Sequence, residues 1–319
     1  MENDQWLING SPKGRALETS DFKRHTMLLP PLTEGEVLVK VEMLSFDPSQ
    51  KGQMENVGYA AETEFGQVMN ATGVGAVIES NVDRLPIGSK VMGSLGWQRY
   101  AVMAAQKLEV ITGDAPLAAH LGPLGGTGLT AYFGLLDLGN PQPGETVLVS
   151  GAAGATGSVA GQIAKLKGCR VVGIAGGPEK CAWLTNEAGF DHAIDYKLGN
   201  LDQQIAEACP EKWNVFFDNV GGGTLEAALN HLNLRSRVVM CGGIANYNAT
   251  EPQPGPSNIM NLVIMRSRME GFIVLDYLPR AGEAIKDLLG WIGTGDLKYQ
   301  VDMQEGFENI PSTLQRLFT

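Results

Sequence analysis

Gly151, Gly154 and Gly157 stand at three-residue spacing in the stretch ETVLVSGAAGATGSVAGQIAKLKG, residues 145–168. They follow a short apolar run, Val147 to Val149, and precede a helix-patterned segment with Val159, Ile163 and Leu166 as its apolar positions. Strand, glycine turn and helix form the layout of a dinucleotide site. There a pyrophosphate sits on the helix N-terminus, where unpaired N–H groups and the helix dipole favour an anion. The glycines serve a tight turn, an open approach for the phosphate and close helix–strand contact. Glycine-rich turns also join strands to helices without any ligand, but here the flanking strand and helix are both present.

The next apolar strand decides which dinucleotide is expected. RVVGIAGGPEKC starts at Arg170, and an NAD site would place Asp or Glu near its end, about 20 residues past the turn, to bind the ribose hydroxyls. The chain has Ala175, Gly176 and Gly177 there, with Lys180 three residues later. A carboxylate-free pocket beside a cation suits a 2′-phosphate, which points to NADP(H). A lysine on a first helical turn is also an ordinary solvated residue, so the missing acid is the stronger signal.

These positions need a scaffold, and the chain supplies two patterns. Residues 1 to about 120 read as mostly β, beginning with Val37, Val39 and Val41 in alternation and continuing through ATGVGAVIES and IGSKVMGSLGWQRYAVM. Short strands broken by Gly, Asp and Pro predict a barrel-like domain. From Leu121 the period changes: Ala131, Leu135, Leu136 and Leu138 predict a helix capped by Thr127 or Thr130. From Glu145, strands TVLVSG, RVVGIAG, HAIDY, VFFDNVG, RVVMCG and MEGFIV alternate with helical stretches. They predict a doubly wound, six-stranded parallel sheet of Rossmann type. After Leu275 an amphipathic helix with Ala284, Ile285, Leu288 and Leu289 on one face is expected, then a strand and a final helix.

Composition narrows the function classes. A chain of 319 residues with 44% apolar and 18% charged residues is long enough for two domains with proper cores. Its net charge of −11 argues against non-specific nucleic-acid binding and against an anionic membrane surface, while leaving room for a local basic pocket. No apolar run reaches a membrane span, and MENDQWLING lacks the regions of a signal peptide, so a cytoplasmic location is expected. Cys169, Cys181, Cys209 and Cys241 lack C-x-x-C spacing, and His25, His120, His192 and His231 are equally dispersed. Neither a disulfide framework nor structural zinc is expected, and the predicted chemistry is metal-free.

With these segments in place, the chain resembles the medium-chain dehydrogenase/reductase superfamily. More narrowly it is similar to the zinc-independent branch of prostaglandin/leukotriene reductases, plant alkenal double-bond reductases and curcumin-reductase-like enzymes. The resemblance runs nearly end to end through SFDPSQKGQM, GQVMNATGVGAVIES, GWQRYAVM, GGTGLTAYFGLLDLG, GIAGGPEK, AIDYK, FDNVGG, CGGIANYN and RMEGF. The zinc-dependent branch would carry a Cys ligand and an adjacent Gly-His-Glu in its first domain, and this half has no Cys. The resemblance implies a GroES-like catalytic domain of residues 1–120 with 285–319 and an NADP-binding Rossmann domain of residues 121–284. It also implies a homodimer.

The implied reaction is NADPH-dependent reduction of the C=C bond of an α,β-unsaturated aldehyde or ketone. Hydride goes to the β-carbon, and the enolate left behind takes a proton at the α-carbon. Tyr247 matches the tyrosine to which this branch assigns enolate stabilisation, with proton donation as a further capacity. A phenol suits the task, being neutral at pH 7 and able to donate to an oxyanion; the plainer alternative is a loop tyrosine packed on the cofactor. Lys180 and Tyr196 match residues that contact the 2′-phosphate. Asn219, Cys241, Phe272 and Val274 match positions at the nicotinamide end, Cys241 as a small neighbour and not a nucleophile. The resemblance extends the cofactor set to Pro48, Thr130, Ala153, Gly154, Ala155, Gly157, Gly176, Gly242 and Ile244.

Three departures stand out. Where many relatives read Asp-Pro-Tyr-Met-Arg-Gly, this chain reads Asp47-Pro48-Ser49-Gln50-Lys51-Gly52, so Ser49 replaces a substrate-side tyrosine and implies a roomier pocket. Met265 replaces an aromatic often found before RMEGF, an adaptable filler on the substrate side. Relatives also continue past the position of Thr319 with a Gly-x-Asn-x-Gly-Lys segment and a last strand of the first domain. A quinone oxidoreductase of the same fold is the alternative enzyme, and a non-catalytic NADPH-binding relative is the alternative outside enzymes.

Overall fold

The computed structural model describes residues 1–56, 63–251 and 253–318, so Thr319 lies outside them. The chain forms two compact units. One holds Met1–Leu121, Tyr247–Glu251 and Val301–Thr319; the other holds Gly122–Asn246 and Pro252–Gln300.

The first unit is mostly antiparallel β. Strands β1 (Glu2–Ile8) and β2 (Phe22–Leu28) pair as a ribbon. Strands β3 (Glu36–Leu44), β4 (Thr72–Ser80), β5 (Lys90–Ser94), β6 (Tyr100–Ala104) and β7 (Glu109–Val110) form a sheet in the order β6-β3-β4-β5-β7. Val37 and Val39 are fully buried against Val77, Leu85, Val91 and Leu95, the inward half of the predicted alternation. A second apolar cluster gathers Phe22, Met54, Met69, Trp97 and Leu314, so the helix Ile310–Gln315 packs with the N-terminal strands.

The second unit is a six-stranded parallel sheet built from β8 (Thr146–Ser150), β9 (Arg170–Ala175), β10 (His192–Asp195), β11 (Trp213–Asp218), β12 (Leu232–Met240) and β13 (Arg268–Gly271). Its order, β10-β9-β8-β11-β12-β13, is that of a doubly wound Rossmann sheet. All five residues of β8 are buried, as a central parallel strand covered on both faces requires. The order reverses between β8 and β11, so the crevice expected to take a ligand opens beyond Ser150 and Asp218.

Several local expectations are corrected. The helix Gly126–Phe133, continued by a π-helical stretch Gly134–Gly139, starts at the N-cap Gly125. Thr127 and Thr130 do not cap it, because their hydroxyls donate backwards to the carbonyls of Gly122 and Gly126. The expected return to the first unit at residue 285 falls inside the helix Ala281–Thr294, which belongs to the second unit. Ala284 and Leu288 are its buried positions, Leu289 is exposed, and Tyr132 donates from its hydroxyl to Asp287 Oδ2 at 2.8 Å. The strand expected after Leu297 is absent, as residues 298–306 carry no strand pairing. The buried Gln162 side chain takes both main-chain groups of Lys298, at 2.7 and 2.9 Å, in place of a ladder.

Candidate functional site

Gly151 follows β8 in a left-handed conformation, φ +57°. A β-carbon at Gly157 would lie 2.4 Å from the Gly151 carbonyl oxygen, so the helix Ala155–Leu166 can approach the turn this closely only with glycine there. Gly154 is the N-cap, with no side-chain capping bond, and both it and Ala155 are exposed. The start of the helix is thus open to solvent, with Ala153 just before it, as a phosphate on the first-turn N–H groups would require.

Two buried residues that the sequence reading did not single out hold this edge. Ser150 and Asp218, each with no exposed surface, end the two strands flanking the reversal and share a hydrogen bond of 2.6 Å from Ser150 Oγ to Asp218 Oδ1. Asp218 also accepts the N–H groups of Val220 and Gly221. Burial raises its carboxyl pKa, opposed by the Ser150 hydroxyl and those N–H groups. The Asn219 N–H donates to Ser150 Oγ at 2.8 Å, and its side-chain amide donates to the Ser150 carbonyl at 2.6 Å. The N–H groups of Cys241 and Gly242 donate to the Asp218 carbonyl, and that of Ile244 to the Asn219 carbonyl. The glycine turn, Asn219, Cys241, Gly242 and Ile244 are therefore one hydrogen-bonded edge. Burial, helped by the Asp218 charge, pushes the Cys241 thiol up to about 12, so it stays protonated and non-nucleophilic at neutral pH.

A second group lies at the end of β9. A β-carbon on Gly176 would meet the Tyr196 hydroxyl at 2.9 Å and Lys197 Cε at 3.0 Å. Lys180 is exposed on the first turn of the helix Pro178–Asn186. Lys197, absent from the sequence-based set although it adjoins Tyr196 in AIDYK, thus joins Gly176, Lys180 and Tyr196. The nearby Asp195 is occupied: its Oδ1 accepts the N–H groups of Gly177 and Lys197 at 2.9 and 3.0 Å. A phenol and a lysine against a glycine, with a second lysine on the first turn of the helix that follows, form a donor set suited to a phosphate ester.

Elsewhere in this unit, Thr130 donates to the Gly126 carbonyl at 2.7 Å. Phe272 packs on Gly134, whose β-carbon would lie 2.3 Å from the ring, and meets Tyr277 edge-on. Val274, half-buried, opens the 3₁₀ stretch Val274–Arg280 after it. Met265 is half-buried and packs one side against the apolar core that includes Leu225, Leu229 and Leu232.

Tyr247 belongs to the first unit, with Pro48 and Ser49. Pro48 is the N-cap of the helix Ser49–Met54, where Ser49 is exposed while Gln50 and Lys51 are buried. Gln50 is fixed by the Asp47 N–H and the Asn70 carbonyl, at 2.9 and 2.8 Å. Lys51 is only 1% exposed; its ammonium donates to the Tyr247 carbonyl and pairs with Glu55. The Tyr247 ring lies 6.4 Å from that of Phe318, centroid to centroid. Lys51 is thus a positioning residue for the Tyr247 segment. Lys51→Met should cost about 3 kcal/mol of stability by leaving Glu55 and the Tyr247 carbonyl without their donor. Lys51→Arg should retain most of it, and denaturant melts of the two variants check the difference.

Residues 4–111 match a family described as the N-terminal domain of oxidoreductase, and residues 155–292 match the zinc-binding dehydrogenase family. Prostaglandin reductase 1 of Bos taurus is 41% identical over 300 residues, covering 92% of this chain and 89% of its own. The NADPH-dependent curcumin reductase of Escherichia coli is 38% identical over 322 residues, covering 98% and 92%. The chain belongs to the medium-chain dehydrogenase/reductase family, in its zinc-independent prostaglandin and curcumin reductase branch. A solved structure of CurA from Vibrio vulnificus in complex with NADPH superposes with a TM-score of 0.93 at 37% identity, covering 99% of this chain and 95% of that one. Among the described residues, no group of three or more His, Cys, Asp or Glu side chains could hold a metal ion. The zinc-binding label therefore describes the wider family and not a site in these residues.

Proposed function

We propose that this oxidoreductase uses NADPH to reduce the C=C bond of α,β-unsaturated aldehydes and ketones. The observation that carries the reading is the pairing of an uncapped, exposed helix N-terminus at Gly154 with a turn at Gly176 that meets Tyr196 and Lys197, where the nearby Asp195 carboxylate is taken up by main-chain N–H groups. The first fits a pyrophosphate and the second a 2′-phosphate. NADP(H) is the cofactor, in keeping with the NADPH-dependent curcumin reductase and the NADPH complex among its relatives. When bound, NADPH supplies the hydride that adds at the β-carbon of the substrate.

The chain's own residues do the rest. The first-turn N–H groups of the helix, from Ala155 to Gly157, bind the pyrophosphate, and Lys180, Lys197 and Tyr196 hold the 2′-phosphate. Asn219 and Cys241 border the nicotinamide end, with Phe272 and Val274. The Tyr247 hydroxyl donates to the carbonyl oxygen as charge develops there, stabilising the enolate and serving as a proton source. Ser49, exposed where tyrosine-bearing relatives carry a ring, widens the range of substrates accepted.

Two finer readings accompany this one. β13 is the outer strand of its sheet, and Met260, Val263 and Ile264 before it are 60–63% exposed, which supports a homodimer through this face. Val263→Glu should then sediment as a monomer. Four free thiols and the lack, among the described residues, of a helix able to cross a membrane fit a cytoplasmic protein.

The test of the main reading is NADPH oxidation at 340 nm against 2-alkenals, an aryl butenone, a 15-keto prostaglandin-like enone and a quinone, with NADH in parallel. Turnover of enals or enones with strong NADPH preference supports the reading. Turnover of the quinone alone transfers it to the quinone oxidoreductases, and NADPH binding without turnover to the non-catalytic relatives. A companion measurement addresses the 2′-phosphate: Lys180→Ser and Lys197→Ser should each raise KM for NADPH about tenfold and leave KM for NADH unchanged. Equal losses with the two cofactors would remove the phosphate role from these lysines.

A further inference from the structure

The parallel sheet carries a basic cavity at the edge opposite the glycine turn. A space of about 590 Å³ opens at the amino ends of β8, β12 and β13, lined by Arg235, Arg237, Arg266, Arg268 and Glu145 among others. A chain of net charge −11 thus gathers four guanidinium groups here against one lining carboxylate.

Two of the four are committed to the fold. Arg237 makes a two-pronged pair with Glu145 at 2.8 and 2.6 Å and donates to the carbonyls of Gly139 and Asn140. Arg268 donates to the Leu138 carbonyl. Together they cover the carbonyl end of the π-helical stretch.

Arg235 and Arg266 are different. Both are exposed, and neither makes an ion pair among the described residues. The Arg266 guanidinium donates once, to the Ile264 carbonyl in its own loop, at 3.0 Å. Both sit in the left-handed backbone region, φ +59° and +51°, where a residue with a β-carbon is disfavoured. The Arg235 N–H donates to the carbonyl of Met265 at 2.8 Å, which sets the two arginine positions side by side. Two uncompensated like charges held together on disfavoured backbone are what an anion site requires and what a folding role does not explain.

We propose that this cavity binds a small anion of the pyrophosphate type through Arg235 and Arg266. The guanidinium fork matches phosphate oxygens in pairs. The lining includes no aromatic ring, so no nucleobase stacks here and the phosphate groups alone are recognised.

The test uses full-length protein saturated with NADP+, so that the cofactor's own phosphate sites are filled, titrated with inorganic pyrophosphate by calorimetry. The Arg235→Gly/Arg266→Gly double variant is compared. Glycine adopts positive φ freely, so this variant keeps the fold while losing both charges, and its thermal melt and KM for NADPH verify that. Saturable binding by the parent, weakened about tenfold or more in the variant, is expected. ADP should bind no more tightly than pyrophosphate. No binding by the NADP+-saturated parent, equal binding by the variant, or markedly tighter binding of ADP would each overturn the assignment.

Discussion

Replacing Tyr247 with phenylalanine should lower kcat for enone reduction about a hundredfold, the usual cost of removing one donor from a developing oxyanion. The ring survives the change and only the hydroxyl is lost. The segment is held at its main chain, through the Lys51 ammonium on the Tyr247 carbonyl, so its placement should survive as well. KM for NADPH should therefore stay at the parent value, because the residues proposed to hold the cofactor's phosphates belong to the other unit. The expected signature is a fall in kcat without a change in cofactor binding, measured by initial rates on an enone and by NADPH titration of the free enzyme. Parent-level turnover by Tyr247→Phe would remove the hydroxyl from the mechanism and leave the tyrosine a packing residue. Lys51→Met provides an internal comparison, since it should loosen the segment and lower stability while leaving the hydroxyl present.

The second large effect is expected at Gly157. An alanine β-carbon would stand 2.4 Å from the Gly151 carbonyl oxygen and 3.0 Å from Ala152 Cα. Both neighbours are main chain, so no side-chain rotation relieves the overlap. The helix Ala155–Leu166 must shift away from the end of β8. Gly157→Ala should lose about 1–3 kcal/mol of stability, as overpacked cores do. It should also weaken NADPH at least about tenfold, because the first-turn N–H groups move from where they are proposed to meet the pyrophosphate. Thermal melts with and without NADPH separate the two effects, since the cofactor's stabilising increment reports affinity apart from intrinsic stability. A variant with a lowered melting temperature and an undiminished NADPH increment would show that the close contact serves packing alone.

The sequence by itself determined the two-part architecture, the six parallel strands and the glycine turn. These rest on local information: alternation in Val37, Val39 and Val41, the apolar run Val147 to Val149 in β8, and glycines at the strand–helix junction. The absence of an acid at the end of β9, which points to NADP(H), is equally local, being a matter of which residues stand at one strand end. Tyr247 was legible only through its resemblance to relatives, because a tyrosine in a loop carries no pattern of its own.

Tertiary structure decided what depends on partners distant in the chain. Ser150 and Asp218 lie 68 positions apart, and only the strand order brings them to share a hydrogen bond and organise the crevice. Lys51 reads as a solvated lysine until folding buries it beneath a carbonyl 196 positions away. The strand expected after Leu297 fails for the same reason. Its apolar pattern is adequate, but main-chain groups pair with whatever partner the fold delivers, and at Lys298 that partner is the side chain of Gln162.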